Sequence, residues 1–325
     1  MRNDGGPTVA ASGPMPRRPG SGPAPRTLEL PAVHLARDVP RELAAARVRT
    51  GAWIPATRGA YVRNGTSARA MAIARAVGVH ARISSAHAFS HETAALLHGL
   101  ALWDVPQVTH VRHEHRGGGS NDPLVARHLG IPAHARVVVL AGLPVTDLAS
   151  TTWDCLRTAT PLAALVVADS ALHAGLPRDS VVAIAEQARG NGTARARALL
   201  ELADEGAESA RETWARFAFA VAGWPPPETQ VRVETARGTF WADLGWPRWR
   251  LLVEYDGLGK YAGDERARLL EEKVRRDAIA EAGWHSVHVT KADSLRSVVA
   301  RAQPYVPAGE LAHARLRQDL LPAPR

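Results

Sequence analysis

Two carboxylates interrupt the apolar run Leu251-Leu252-Val253-Glu254-Tyr255-Asp256, and a third, Asp243, lies in the segment just ahead of it. Thr239–Leu244 and Trp249–Tyr255 read as two strands joined across Gly245-Trp246-Pro247-Arg248. Alternation along the second strand puts Leu252, Glu254 and Asp256 on one face and Val253 with Tyr255 on the other. Acids in such surroundings are costly unless a positive charge sits between them. An oxygen-rich cluster of this kind suits a hard divalent cation, Mg2+ or Mn2+. The plainer alternative makes Asp243 and Asp256, close to Gly245 and Gly257, simple turn formers.

The flanking segments add to the constellation. Glu208–Ala222 reads as a helix with Glu208 and Glu212 four residues apart, a like-charge pair that makes sense if one of them faces a cation. Asp264–Ala282 reads as a second helix carrying Lys273, Arg276 and Asp277 within about one turn, and Trp284–Thr290 as a strand. Lys273 and Asp277 also fit a solvated i,i+4 pair. The chain has three lysines, Lys260, Lys273 and Lys291, among 40 basic residues, and all three fall in this C-terminal region.

The formal charge of +8 belongs mostly to the first 204 residues, where arginines outnumber acids by seven, while 205–305 are neutral. That distribution favours a polyanionic partner, DNA, on the N-terminal side. Residues 1–28 are too poor in apolar side chains to bury a core and read as a disordered tail. A small module at 29–65 follows: helix Arg41–Arg49 behind Pro40, then two short strands around Arg58-Gly59. Helix, turn and basic hairpin suit a winged helix-turn-helix, with Arg41, Arg47 and Arg49 at the groove and Arg58 and Arg63 on the backbone. A basic packing module with solvated arginines is the alternative. Beyond it we expect an α-rich middle domain at 66–177, a helical connector at 178–204, an α/β domain at 205–305 and a polar tail at 306–325. The fold class is α/β multidomain.

RELAAARVRTGAWIPATRGAYV, SHETAALLHGL and GLPVTDLASTTWDCLRTATPLAALVVADSALHAG resemble AbiEi-type antitoxins and related actinobacterial regulators, with Ser150 where that family commonly has Arg. The resemblance implies a winged helix that binds DNA and, as a further partner, a cognate toxin. GAESARETWARFAFAVAGWPPPETQ, WADLGWPRWRLLVEYDGLGKY and EEKVRRDAIAEAGWHSVHVT resemble the Vsr-like (very-short-patch-repair-like) endonuclease domains with a PD-(D/E)XK, restriction-endonuclease-like fold. That likeness implies Mg2+-dependent hydrolysis of DNA, with Asp243 and Glu254 as metal ligands, the Tyr255 carbonyl beside them, and Glu212 in support, ahead of Glu208. It also gives Lys260 or Lys273 the phosphorane charge, and Arg276 with Asp277 a bracing or phosphate-holding role. Asp256 stands where the parent motif has lysine, and His288 where relatives carry arginine. An AbiEi-like repressor or antitoxin with a retired nuclease fold therefore stands as the competing reading.

Nine of the fourteen histidines fall between His80 and His134. His87 with His91 and His113 with His115 have spacings that a metal site would use, but no cysteine supports one and no zinc module is matched. Scattered structural histidines are the expectation. Cys155, the lone cysteine, reads as a small buried hydrophobe. No apolar run reaches about 18 residues and the N-terminus lacks an apolar core, so the expected setting is cytoplasmic, without a membrane.

Overall fold

The computed structural model describes residues 28–114, 122–132, 134–256 and 265–321. The expected N-terminal tail, His115 and Lys260 lie outside the described residues. The described part is mixed α/β, with three separate sheets. Among the described residues no helix is long and apolar enough to cross a membrane.

The first unit holds β1 (His34–Leu35), α1 (Arg41–Arg49), β2 (Trp53–Thr57), β3 (Ala60–Arg63) and α2 (Ala68–His80). Its antiparallel sheet has the order β1-β3-β2. α1 has the bounds expected from Pro40 and from the Thr50-Gly51 stop. α2 seats on the hairpin through Gly78, where a Cβ would come 2.5 Å from the Ala60 Cβ and 2.6 Å from the Thr57 methyl. The cap of α2 is Ser67, whose side chain accepts from the Ala70 N–H.

The middle segment departs from the α-rich expectation. It carries β4 (His87–Phe89), α3 (His91–Leu97), β5 (Thr109–His113), β6 (Val125–Leu129), β7 (Val137–Leu140) and β8 (Leu143–Thr146). These strands form one mixed sheet in the order β6-β5-β4-β8-β7. The sequence reads as strand at Val108–Arg112 and Ala135–Leu140, and these are β5 and β7. β4, β6 and β8 are too short for alternation to announce them, and non-local pairing holds the sheet, with β4 parallel to β8, more than fifty residues on.

α4 (Leu148–Thr158), α5 (Pro161–His173), α6 (Arg178–Gln187), α7 (Thr193–Leu202) and α8 (Ala210–Val221) follow. The expected connector at 178–204 belongs to a core, since Val181, Ile184, Leu199 and Leu200 pack with Trp153, Leu156 and Leu165. Cys155 is fully buried among apolar neighbours, as expected.

The C-terminal unit runs β9 (Glu228–Thr235), β10 (Gly238–Trp246), β11 (Leu251–Tyr255), α9 (Glu265–Glu281), β12 (His285–Val289) and α10 (Leu295–Ala302). The sheet order is β12-β11-β10-β9, with β12 parallel to β11 and the other pairs antiparallel. β9 went unread in the sequence. Gly245 lets β10 and β11 approach closely, because a Cβ there would lie 2.6 Å from the Leu251 carbonyl oxygen. One sheet face packs on α8 and α10 through Trp214, Phe219, Val253 and Val298, the other on α9 through Leu252 and Ile279. The segment after 305 is no solvated tail: Leu320 is 1% exposed within the helical core, and the Arg317 N–H donates to the Val221 carbonyl at 2.8 Å.

A buried ion pair fastens α8 to α5. Asp169 Oδ2 accepts from Arg216 Nη2 at 2.6 Å and from Thr213 Oγ1 at 2.8 Å, and Oδ1 accepts from the Asp204 N–H at 2.8 Å. Asp169 and Arg216 are 1% and 4% exposed. Removing one member leaves the other charge buried alone, which costs about 3–5 kcal/mol. Asp169→Ala should therefore lower the urea unfolding free energy by about that amount; a loss nearer that of an ordinary surface substitution contradicts this role.

Candidate functional site

The acids of β10 and β11 lie where those two strands part. The last paired position is Leu244 with Val253. One residue further on, Asp243 Oδ2 accepts from the Tyr255 N–H at 2.7 Å. A carboxylate thus takes a ladder position in the notch between the strands. The pleat also breaks here. Ala242 packs with Ile279 on the α9 side, whereas Leu244 packs with Trp214 and Phe219 on the α8 side. Residues two apart should share a face, so Asp243 sits at a local switch, with the neighbouring strand's Gln230 at φ 51°.

The expected alternation on β11 is present. Leu252 lies in the α9-side core and Val253 in the α8-side core, and Glu254 and Asp256 both reach α9. Glu254, 7% exposed, is neutralised by Arg275, whose guanidinium bonds Oε2 and also donates to the Trp241 carbonyl at 3.0 Å. Glu254 Oε1 is buried without a hydrogen-bond partner among the described residues. Asp256 accepts from Arg276 at 3.2 Å and lies 3.4 Å from His288 Nδ1. Arg276 is further tied to Glu272 at 2.8 Å, so it braces the acids of this face.

Arg275 is the residue that sequence reasoning missed. The inward side of α9 is set by the spacing Glu272, Arg275, Arg276, Ile279. Lys273 stands between those positions and is exposed, with no ion pair to the acids among the described residues. Asp277 is likewise exposed. The signal was available in the helical period read back from Ile279, but Lys273 drew attention by its rarity. Lys260 lies outside the described residues.

Glu212 opens α8 in a reciprocal turn. Its Oε1 accepts from Ser209 Oγ and its Oε2 from the Glu208 N–H, both at 2.8 Å, while its own N–H donates to Ser209 Oγ. Glu208 itself is exposed. Burial, reinforced by the charge on Asp243, pushes Glu212 up to about 7. A half-protonated Glu212 is a weaker cation ligand than Asp243 or Glu254. The hard-oxygen donors that could hold Mg2+ are those the resemblance implies: Asp243, Glu254 through Oε1, which has no partner among the described residues, and the Tyr255 carbonyl. Among the described residues Asp243, Glu254 and Glu212 do not bring three carboxylates within 4.8 Å of one another; the group that does meet that distance is histidine.

At the other end of the chain Arg41, Arg47, Arg49, Arg58 and Arg63 are all exposed. None is within 4.0 Å of a carboxylate among the described residues. α1 buries only Ala44, so its basic side faces outward.

The histidines do not stay scattered. His87 lies on a strand and His91 opens a helix, so their four-residue spacing is not helical. His87 instead meets His80, ring nitrogen to ring nitrogen at 3.0 Å, and stands opposite His113 on β5. His91, His110 and His128 gather from α3, β5 and β6, with one ring nitrogen of each within 4.8 Å of the others. Their sequence separations of nineteen and eighteen residues match no module, and the sheet that joins them was not expected.

The pKa of Glu212 carries a sign. Its folded value lies above the ordinary 4.5, so the stability it contributes is complete below about 4.5 and is lost as pH rises through about 7. Glu212→Gln should gain on the wild type by up to about 3 kcal/mol between pH 4.5 and pH 8. Urea unfolding at both pH values reads this, and a difference that stays flat with pH refutes it.

No protein-family model matches the chain. Two uncharacterized proteins of Mycobacterium tuberculosis, from two strains, are each 34% identical to it over 175 residues. The match covers 52% of this chain and 64% of each relative, so the chain spans a little under two thirds of the curated relatives it matches.

Proposed function

We propose that the chain is a DNA-binding protein whose C-terminal unit hydrolyses DNA phosphodiester bonds with Mg2+. The observation that carries the reading lies where β10 and β11 part: Asp243 accepts from the Tyr255 N–H, and Glu254, the residue before Tyr255, keeps a buried oxygen with no hydrogen-bond partner among the described residues. The order α8-β9-β10-β11-α9-β12 supports it: it contains the helix, hairpin, helix and strand that a PD-(D/E)XK fold implies, with β9 added at the edge of the hairpin. The exposed arginines of α1 and the β2–β3 hairpin support DNA as the partner.

In this reading Asp243, Glu254 and the Tyr255 carbonyl hold the ion. An ion held by these residues would supply Lewis-acid polarisation of a phosphate oxygen and a more acidic water. Arg275 orients Glu254 through Oε2, leaving Oε1 to the site. Arg276, braced by Glu272 and Asp256, presents positive charge at the rim. Glu212, near neutrality at physiological pH, is suited to hold or release a proton beside Asp243. Lys273, exposed on α9, has no part in this arrangement.

One observation favours a second reading. Arg275 already supplies Glu254 with the positive charge that a cation would bring, and Asp256 replaces the motif lysine. A protein that grips DNA as a repressor or antitoxin, with a nuclease fold no longer cutting, fits those two features.

Supercoiled plasmid incubated with the protein in Mg2+, in Mn2+ and in chelator separates the readings. Metal-dependent nicking that Asp243→Ala abolishes, with DNA binding kept, is the expected result. DNA shifted on a gel but uncut in both metals sinks the hydrolytic reading in favour of the repressor. Arg47→Ala with Arg58→Ala should weaken DNA binding and lower the slope of log K against log salt by about 2; an unchanged slope removes the N-terminal module from the interface.

A further inference from the structure

The histidine cluster stands apart from the acid notch and from the basic face of α1. His91 opens α3 with its ring 3% exposed and its backbone at φ 54°. That left-handed region is strained for a residue with a Cβ, and such strain persists where the surroundings hold it. His110 on β5 and His128 on β6 come from parallel neighbouring strands. His110 Nδ1 faces His128 Nε2 at 3.0 Å, and the His91 ring stacks on His128 with centroids 4.0 Å apart.

Oxygen atoms lie behind the outward nitrogens. Glu92 Oε2 lies 3.5 Å from His110 Nε2 and is itself buried without a hydrogen-bond partner among the described residues. His91 Nδ1 lies 2.8 Å from Ser90 Oγ and 3.8 Å from Asp154 Oδ2. Placing the ring protons on those outward nitrogens leaves the His110 Nδ1 and His91 Nε2 lone pairs free to face inward. A carboxylate behind an imidazole is the arrangement that orients metal-bound histidine and strengthens it as a donor. Arg112 holds Asp154 through two bonds of 2.6 and 3.2 Å, so its charge is matched, and Glu92 is set against Arg157, whose charge also reaches His91. A cleft of about 350 Å³, lined by Glu92, His110, Trp103 and Thr160 among others, runs past the cluster.

We propose that His91, His110 and His128 form a binding site for a divalent transition metal of the Zn2+ class, oriented by Glu92 and Asp154, with a further coordination position open to the adjoining cleft. Three nitrogens without a thiolate suit Zn2+, Co2+ or Ni2+ and not the oxygen-seeking Mg2+. Zn–N bonds of about 2.0–2.1 Å place tetrahedral ligand nitrogens about 3.4 Å apart. His110 and His128 are close to that separation, and rotation of the ring on His91 supplies the rest. The site is independent of the hydrolytic reading.

Full-length protein stripped of metal is titrated with Co2+, following the visible d–d bands of a low-coordinate nitrogen site, and then with Zn2+ as competitor. One equivalent of Co2+ should bind and be displaced by Zn2+. Asp243→Ala should bind as the wild type does, which separates this site from the acid notch. His110→Gln with His128→Gln should lose the bands, and Glu92→Gln should weaken Co2+ by about 10- to 100-fold. Glu92→Gln keeps the test decisive if the double variant does not fold. Absence of the bands in the wild type overturns the proposal, as does their survival in the folded double variant, their loss in Asp243→Ala, or unchanged affinity in Glu92→Gln.

Discussion

The buried pair of Asp169 and Arg216 is the constraint on which the rest of the arrangement depends. α8 has two jobs: Phe217 and Val221 lie in the helical core, while Trp214 and Phe219 lie against the C-terminal sheet. A helix shared by two cores must have its height and rotation set, and apolar packing alone tolerates sliding. Asp169 removes that freedom, because both of its oxygens are engaged from α8 and from the end of α7. Glu212 sits one turn before Arg216, so the pair that locks the helix also sets how near Glu212 comes to Asp243.

Three buried or half-buried carboxylates at the sheet end are stabilised in three ways. Glu254 takes a guanidinium, Asp243 a backbone N–H beyond the last strand pair, and Glu212 shifts toward its neutral form. Two of the solutions leave something for a ligand: an unpartnered oxygen or a proton near neutrality. Glu254 Oε1 is buried and, among the described residues, unbonded, a state that costs free energy and that the proposed cation would relieve. The same reasoning applies to the histidines, which sit nitrogen to nitrogen with carboxylates behind them.

Much of the C-terminal unit was legible. The face sharing of Leu252, Glu254 and Asp256 follows from strand period alone, and the nearness of Asp243 follows from a short connection. α1 was legible because Pro40 and Thr50-Gly51 are local signals. Arg275 was overlooked because a helix's inward face is fixed by what it packs on, and Ile279 had not been placed. β9 was hidden behind a proline run, although Val231 and Val233 alternate into the core. The five-stranded sheet was not legible, since β4 and β8 are short and pair across more than fifty residues.

What the sequence by itself determined is whatever depends on nearest neighbours along the chain: helix starts and stops, strand faces, the basic character of the first two thirds and the acids of one hairpin. What only the tertiary structure decided is which distant groups meet. His91, His110 and His128 share no period, and Glu254 and Arg275 are twenty-one residues apart on different kinds of element. Their meeting depends on sheet order and on the seating of helices across a core. Those are set by long-range apolar burial, which leaves no periodic mark in the residues that it brings together.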